Sequence, residues 1–217
     1  MGLPAERSRP MQESAAGGTH HAARADYDLS EGHYRMIVYH DVETPIGRLW
    51  LAASEQGLCR IEFARPEEAF LAGLHRDFSE GCVRDRAGIE FARVQVEEYL
   101  AGRRRAFDVP LDLTGTPPFH RATLAVCREI PYGETCTYTD LATALGRPGG
   151  ARAVGNAMAR NPIPLIYPCH RVLRTDGSLG GFRGGLPMKE WLLHMEAGYS
   201  QPALDGITSA MAATPGQ

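Results

Sequence analysis

Lysine is nearly absent from this 217-residue chain: of 23 basic residues, 22 are arginine and Lys189 stands alone. We read that skew mainly as genome composition bias. Cysteine is scarce and unpatterned. Five residues (Cys59, Cys82, Cys127, Cys136, Cys169) form no Cys-x-x-Cys pair, which argues against a disulfide framework and against a zinc-site spacing. No run of 18 apolar residues occurs, and the first residues lack a signal-peptide apolar core. The expectation is a reduced, soluble, cytoplasmic protein. A formal charge of −3 excludes a basic polyelectrolyte, and 43% apolar with 23% charged residues excludes disorder throughout. The 24 glycines and 15 prolines make the chain loop-rich without a collagen period. What charge there is lies unevenly. Residues 116–198 hold nine Arg/Lys against six Asp/Glu, while the remainder holds fourteen against twenty, so a polyanion would meet this half.

The length suits one or two domains. Residues 1–33 lack periodicity and read as a disordered leader, in which His20-His21 has no further ligand nearby. Short strand patterns follow at Met36–Asp41, Leu49–Ala53 and Leu58–Phe63, separated by the turn signals Thr44-Pro45-Ile46-Gly47 and Glu55-Gln56-Gly57. Helices are predicted over Pro66–Phe78 and Ile89–Leu100, the second closed by Gly102. This half (34–110) reads as a small α/β domain with a three-stranded antiparallel sheet and no constellation of catalytic groups. Its exit run, Arg103-Arg104-Arg105, reads as a solvated linker.

From 111 to 198 the pattern is mainly helical, so the whole chain is α+β. Pro117-Pro118 opens a helix with Phe119, Ala122, Val126 and Ile130 at helical spacing. Thr137 with Asp140 is a capping-box signal for a short helix stopped by Gly146, and Ala151–Arg160 follows with Ala151, Val154 and Met158 inward. The pair reads as a helix-turn-helix, with a possible wing around Asp176-Gly177, in a winged-helix-like arrangement. A last helix spans about Met188–Glu196, and residues 199–217 read as a flexible tail.

Asn161-Pro162-Ile163-Pro164-Leu165-Ile166-Tyr167-Pro168-Cys169-His170-Arg171-Val172 is the most informative stretch. Three prolines in seven positions fix φ and remove donors, so the loop can hold a side chain in one place. At its end stands a thiol beside His170 and Arg171. A thiol reacts as thiolate, and neighbouring basic or cationic groups favour that form. Sequence-adjacent Cys and His pair poorly directly, which points to a bridging water. Glu196 is the candidate to orient the imidazole.

Pro168-Cys169-His170-Arg171-Val172, with Arg152-Ala153-Val154-Gly155 before it and Lys189-Glu190-Trp191-Leu192-Leu193 after it, resembles the methylated-DNA–protein-cysteine methyltransferases, also called O6-alkylguanine-DNA alkyltransferases. The resemblance runs over roughly residues 34–198 and is strongest from Tyr132 onward. It implies direct-reversal repair: irreversible transfer of the alkyl group of O6-alkylguanine, and of O4-alkylthymine, to Cys169, once per molecule, after base flipping. It implies further that His170 draws the thiol proton through a water, that Glu196 orients His170, that Tyr138 protonates the guanine ring, and that Asn161 is a hinge. Arg152 would be the finger that fills the vacated base stack, on a helix whose small Ala151, Ala153 and Gly155 allow close approach to the minor groove. Met158, Pro164, Val172, Phe182 and Arg183 would border the alkyl-base pocket. The implied partner is double-stranded DNA, the implied state a monomer, and no cofactor or metal is implied.

Departures from the family pattern are Tyr167 in place of an aliphatic residue, Phe182 in place of tyrosine, Arg183 after it, and Asn156 in place of glycine. They bear on pocket size and lesion preference. Three other readings stay open: a lesion-binding module without transfer, a winged-helix regulator, and a cysteine hydrolase using Cys169, His170 and Glu196. The other cysteines read as packing residues.

Overall fold

Hydrophobic residues on both faces of the predicted strands call for a sheet covered on two sides. The computed structural model of the chain, which describes residues 36–79 and 81–198, has that architecture. The predicted leader, its His20-His21 pair and the tail lie outside the described residues. Strand β1 (Met36–Thr44) turns at Thr44–Gly47 into β2 (Gly47–Ser54), and β3 (Gly57–Phe63) completes an antiparallel meander. In the first turn the Thr44 hydroxyl donates to the Gly47 carbonyl at 2.5 Å and accepts from the Ile46 amide. Helix α1 (Glu67–Asp77) covers one face through Phe70 and Leu74, which pack with Ile37, Tyr39, Trp50 and Cys59. The opposite face, with Leu49, Leu51 and Ile61, joins the larger core shared with helix α2 (Glu90–Leu100) and the C-terminal helices.

The three-stranded sheet expected from the sequence is corrected to a four-stranded mixed one, in the order β3-β2-β1-β4. Strand β4 (Gly81–Arg84) runs parallel to β1 at the sheet edge. Its four residues are exposed or half-buried and carry no alternation to read.

Helix α3 (Pro118–Arg128) begins at the predicted proline pair but buries Thr123, Leu124 and Cys127. Of the stripe expected from periodicity, Ala122 is exposed and Phe119 and Val126 are half-buried. Thr123 enters the core because its hydroxyl donates back to the Phe119 carbonyl at 2.8 Å, hiding a polar group that a hydrophobicity count penalises. Strand β5 (Cys136–Thr137) leads into α4 (Tyr138–Ala144), whose Thr137–Asp140 capping box forms as expected. Helix α5 (Ala151–Ala159) buries Val154, Ala157 and Met158. Strand β6 (Val172–Leu173) pairs in parallel with β5, and the possible wing is a tight turn at Arg174–Ser178 rather than a strand pair. Helix α6 (Leu186–Glu196) closes the core with Met188, Trp191, Leu192 and Met195.

The outer edge of β3 is where the two halves meet. The Leu58 amide donates to the Pro110 carbonyl, the Asp112 amide to the Leu58 carbonyl, and the Ile61 amide to the Pro162 carbonyl, each at 2.9 Å. An edge that would otherwise expose its backbone groups is thus satisfied by the linker and by the proline loop. The sheet therefore positions the loop that ends in Cys169. Among the described residues no helix is long and apolar enough to cross a membrane.

Candidate active site

Asn161, just past α5, organises the proline loop. Its side-chain oxygen accepts from the Ile163 amide at 3.0 Å, while Nδ2 donates to the Tyr167 carbonyl at 2.8 Å and to Cys169 Sγ at 3.3 Å. The turn is tight enough that Leu165 sits at φ +74°, a left-handed conformation costing roughly 1–2 kcal/mol for a residue with a Cβ. Burial and the Asn161 clamp hold that strain in place. Tyr167, within the loop, is buried, and its carbonyl also accepts from the Cys169 amide at 2.7 Å. A short 3-10 turn, Cys169–Arg171, then presents the thiol.

Behind the thiol lies a buried charge network centred on Glu196. Its Oε1 lies 3.0 Å from His170 Nε2 and accepts from Arg171 Nη2 at 2.8 Å. Oε2 accepts from Arg171 Nε at 2.8 Å and from the Gly133 amide at 3.2 Å. The Tyr99 hydroxyl donates to Oε1 and lies 3.2 Å from His170 Nε2. Burial alone would raise the Glu196 pKa, but hydrogen bonds from His170 and Arg171 outweigh it and hold the carboxyl well below the usual range. An ionised carboxylate facing Nε2 fixes the proton on that nitrogen. His170 Nδ1, buried and without a hydrogen-bond partner among the described residues, is then the basic one. Burial pulls the imidazole pKa down against the pull of Glu196, so the ring rests neutral and able to accept a proton.

Cys169 is buried, and desolvation raises its pKa; the Asn161 amide and the charges of Lys189 and Arg183 work in the other direction. The resting group is therefore a thiol that needs a base to react. Lys189, fully buried, ties the segments on either side of the site together by donating to the Val172 carbonyl at 2.6 Å and to the Leu179 carbonyl. Desolvation pushes its pKa down to about 8. The other cysteines lie in packing positions, and burial lifts Cys59 to about 12 and Cys136 to about 11.

Cys169 lies in the wall of a cavity of about 810 Å³ that also brings together Tyr138, Arg152, Gly155, Met158, Asn161, Pro164, Phe182 and Arg183. Gly180 contributes to the opposite wall at φ +66°, where a Cβ would sit 3.1 Å from the Tyr138 ring. Gly155 faces the same ring, so its lack of a side chain opens the cavity beside Tyr138. One residue expected at the pocket falls elsewhere: Val172 is wholly buried and contributes its backbone to β6 and to Lys189; Ala153, expected on the DNA-facing side of α5, is exposed there. Reasoning from sequence missed Tyr99, which comes from the half that carried no catalytic signature. Its place at the buried end of α2, four residues after Gln95 in a polar helix, gives no local sign of a partner 97 positions away.

Comparison with known proteins matches residues 37–113 to the 6-O-methylguanine DNA methyltransferase ribonuclease-like domain and residues 118–198 to the 6-O-methylguanine DNA methyltransferase DNA binding domain. A methylated-DNA–protein-cysteine methyltransferase of Methanosarcina acetivorans is 39% identical over 160 residues, covering 74% of this chain and 98% of the relative. One from Mycolicibacterium paratuberculosis is 37% identical over 169 residues, covering 78% and 98%. Among solved structures, the Mycobacterium tuberculosis O6-methylguanine methyltransferase superposes with a TM-score of 0.64 at 35% identity, over 78% of this chain and 98% of that one. A crystal structure of Mycobacterium tuberculosis OGT in complex with DNA gives 0.65 at 35% identity, over 77% and 97%.

Proposed function

The chain belongs to the methylated-DNA–protein-cysteine methyltransferase family, and from that premise we propose that it repairs DNA by moving the alkyl group of O6-alkylguanine, and of O4-alkylthymine, irreversibly onto Cys169. The target oxygen is inaccessible inside a duplex, so the nucleotide must be extruded, at a cost of a few kcal/mol of unstacking. Arg152, exposed on α5 beside the cavity, is the residue suited to fill the gap. With the base in the cavity, His170 Nδ1 takes the thiol proton through a water. The thiolate attacks the alkyl carbon in line, forming the S–C bond as the C–O6 bond breaks. Tyr138, whose hydroxyl is kept protonated by burial, donates to the guanine ring as its oxygen leaves. The thioether has no hydrolytic route back, so each molecule acts once.

The observation that carries this reading is the thiol in the cavity wall, next to an imidazole whose free nitrogen is made basic by a locked carboxylate. A Cys-His hydrolase pairs the imidazole directly with the thiol, whereas His170 Nδ1 has no hydrogen-bond partner among the described residues and Cys169 Sγ is met by Asn161 Nδ2. The deciding experiment incubates the protein with a duplex carrying one O6-methylguanine, followed by intact mass and peptide mapping. A gain of one methyl group, confined to Cys169 and saturating at one per molecule, is expected. Lesion-selective binding without a mass gain would instead make the protein a binding module.

A further inference from the structure

The lining of the active-site cavity holds four arginines and no aspartate or glutamate, in a chain whose net charge is −3. One of them, Arg152, is on α5. The other three, Arg65, Arg174 and Arg183, come from three separate segments. We propose that Arg65, Arg174 and Arg183 form a phosphate-gripping lip, a second DNA contact outside the helix-turn-helix, which holds the sugar–phosphate backbone beside the extruded nucleotide. The proposal rests on the DNA-repair reading above and adds to it a contact from the N-terminal sheet.

Arg65 and Arg183 are held by partners beside the cavity, and Arg174 stands exposed at its rim. Arg65 stands two residues past the end of β3, the strand whose Ile61 amide donates to the Pro162 carbonyl, and its own carbonyl accepts from Trp50 Nε1 at 2.8 Å. Its Nε lies 3.0 Å from Glu62, a buried carboxylate that also lies 4.0 Å from Arg60, itself paired with Asp77. The Arg65 side chain remains half exposed. Phe63, two residues earlier, packs on Phe182 with ring centroids 5.5 Å apart, which keeps this corner of the sheet against the cavity wall.

Arg183 donates from Nη2 to the Ala159 carbonyl at 3.0 Å, at the end of α5. Arg174 stands in the tight Arg174–Ser178 turn, and the neighbouring Thr175 hydroxyl meets that of Thr139 on α4 at 3.3 Å. Neither Arg174 nor Arg183 forms an ion pair among the described residues. Asp176, in the same turn, is engaged by Ser178 and also lies within the reach of the Arg174 charge. Arginines gathered around an open concavity whose lining holds no carboxylate focus a positive potential. Their planar fork matches the paired oxygens of a phosphodiester, whereas a neutral base would gain little from them.

The test measures the affinity of the full chain for an unmodified duplex, and for the same duplex with one O6-methylguanine, between about 50 and 300 mM salt. Each phosphate contact contributes about 0.9 to the slope of log K against log salt. Arg65→Ala and Arg174→Ala should each reduce that slope by about one and weaken both duplexes by the same factor, leaving the preference for the lesion unchanged. The double variant should lose about two. Arg65→Lys should restore most of the slope. Because Arg65 also pairs with Glu62, its alanine variant can lose stability; Arg174, exposed and unpaired, carries the test independently. Unchanged slopes in both alanine variants overturn the proposal. If inorganic phosphate at matched ionic strength displaces DNA from the wild type while the slopes stay unchanged, the lip is a free-oxyanion site instead. A wild-type chain that binds neither duplex overturns the repair reading itself, a result distinct from unchanged slopes.

Discussion

Replacing Glu196 by glutamine keeps the side chain's volume and removes its charge from a site that is shut off from water. In the native protein that carboxylate accepts from His170, from two nitrogens of Arg171, from the Gly133 amide and from Tyr99. Glutamine offers one acceptor oxygen and turns an NH₂ toward at least one of those donors. Arg171, only 6% exposed, is left as a buried cation without its counter-ion. Removing one partner of a buried pair costs about 3–5 kcal/mol. For a protein of this size that lowers the melting temperature by roughly 6–20 °C. The loss should depend on pH. The folded pKa of Glu196 lies below its unfolded value of about 4.3. Its contribution is therefore complete above that value and disappears as pH falls through the folded pKa. The gap between wild type and Glu196→Gln should be constant near neutrality and narrow below about pH 4. Pairing the change with Arg171→Met should recover part of the stability, since the orphaned charge is then gone. Methyl transfer should fall by about 10–100-fold in Glu196→Gln, as for other partners that orient an imidazole, and Tyr99→Phe, which removes a single donor, should lose less. Melting curves across pH and single-turnover transfer give both readouts. A Glu196→Gln protein that melts within a degree or two of the wild type, with the same acid profile, would refute the reasoning.

Asn161→Ala should slow transfer and raise the pH at which Cys169 is alkylated by iodoacetamide, because the thiolate loses the Nδ2 donor and the loop its clamp; an unchanged alkylation profile would count against that role. Gly180→Ala puts a Cβ at positive φ against the Tyr138 ring and should cost about 1 kcal/mol together with a drop in transfer rate, read by melting and by methyl uptake. Thr137→Ala removes the cap of α4 on an exposed surface and should cost about 1 kcal/mol in a denaturant melt while Cys169 remains reactive.

Features written in local chemistry were legible in the sequence. The Thr137–Asp140 box, the turn at Thr44–Gly47, the proline-fixed loop and its terminal Cys-His-Arg all depend on residues a few positions apart, and the structure contains each of them. The contact between His170 and Glu196 was expected only as a candidate, yet it forms, with the carboxylate buried rather than facing solvent.

What stayed hidden depends on partners distant in the chain. Strand β4 has no periodicity and exists because β1 offers it an edge. The buried stripe of α3 is displaced from the apolar one because Thr123 satisfies its hydroxyl within its own helix while α5 and the core decide which side is covered. Tyr99 and Arg65 carried no motif, since a tyrosine on a polar helix meets Glu196, and an arginine after a strand reaches the cavity wall, only when α2 and β3 dock against the C-terminal half. Sequence alone determined the proline-fixed loop, the Cys169-His170-Arg171 run at its end and the local devices that hold them, because those rest on covalent neighbours and short-range hydrogen bonds. Only the tertiary structure decided which nitrogen of His170 is free, how Glu196 stays charged, and that four arginines gather around one cavity, because burial and long-range electrostatics arise from residues that meet only on folding.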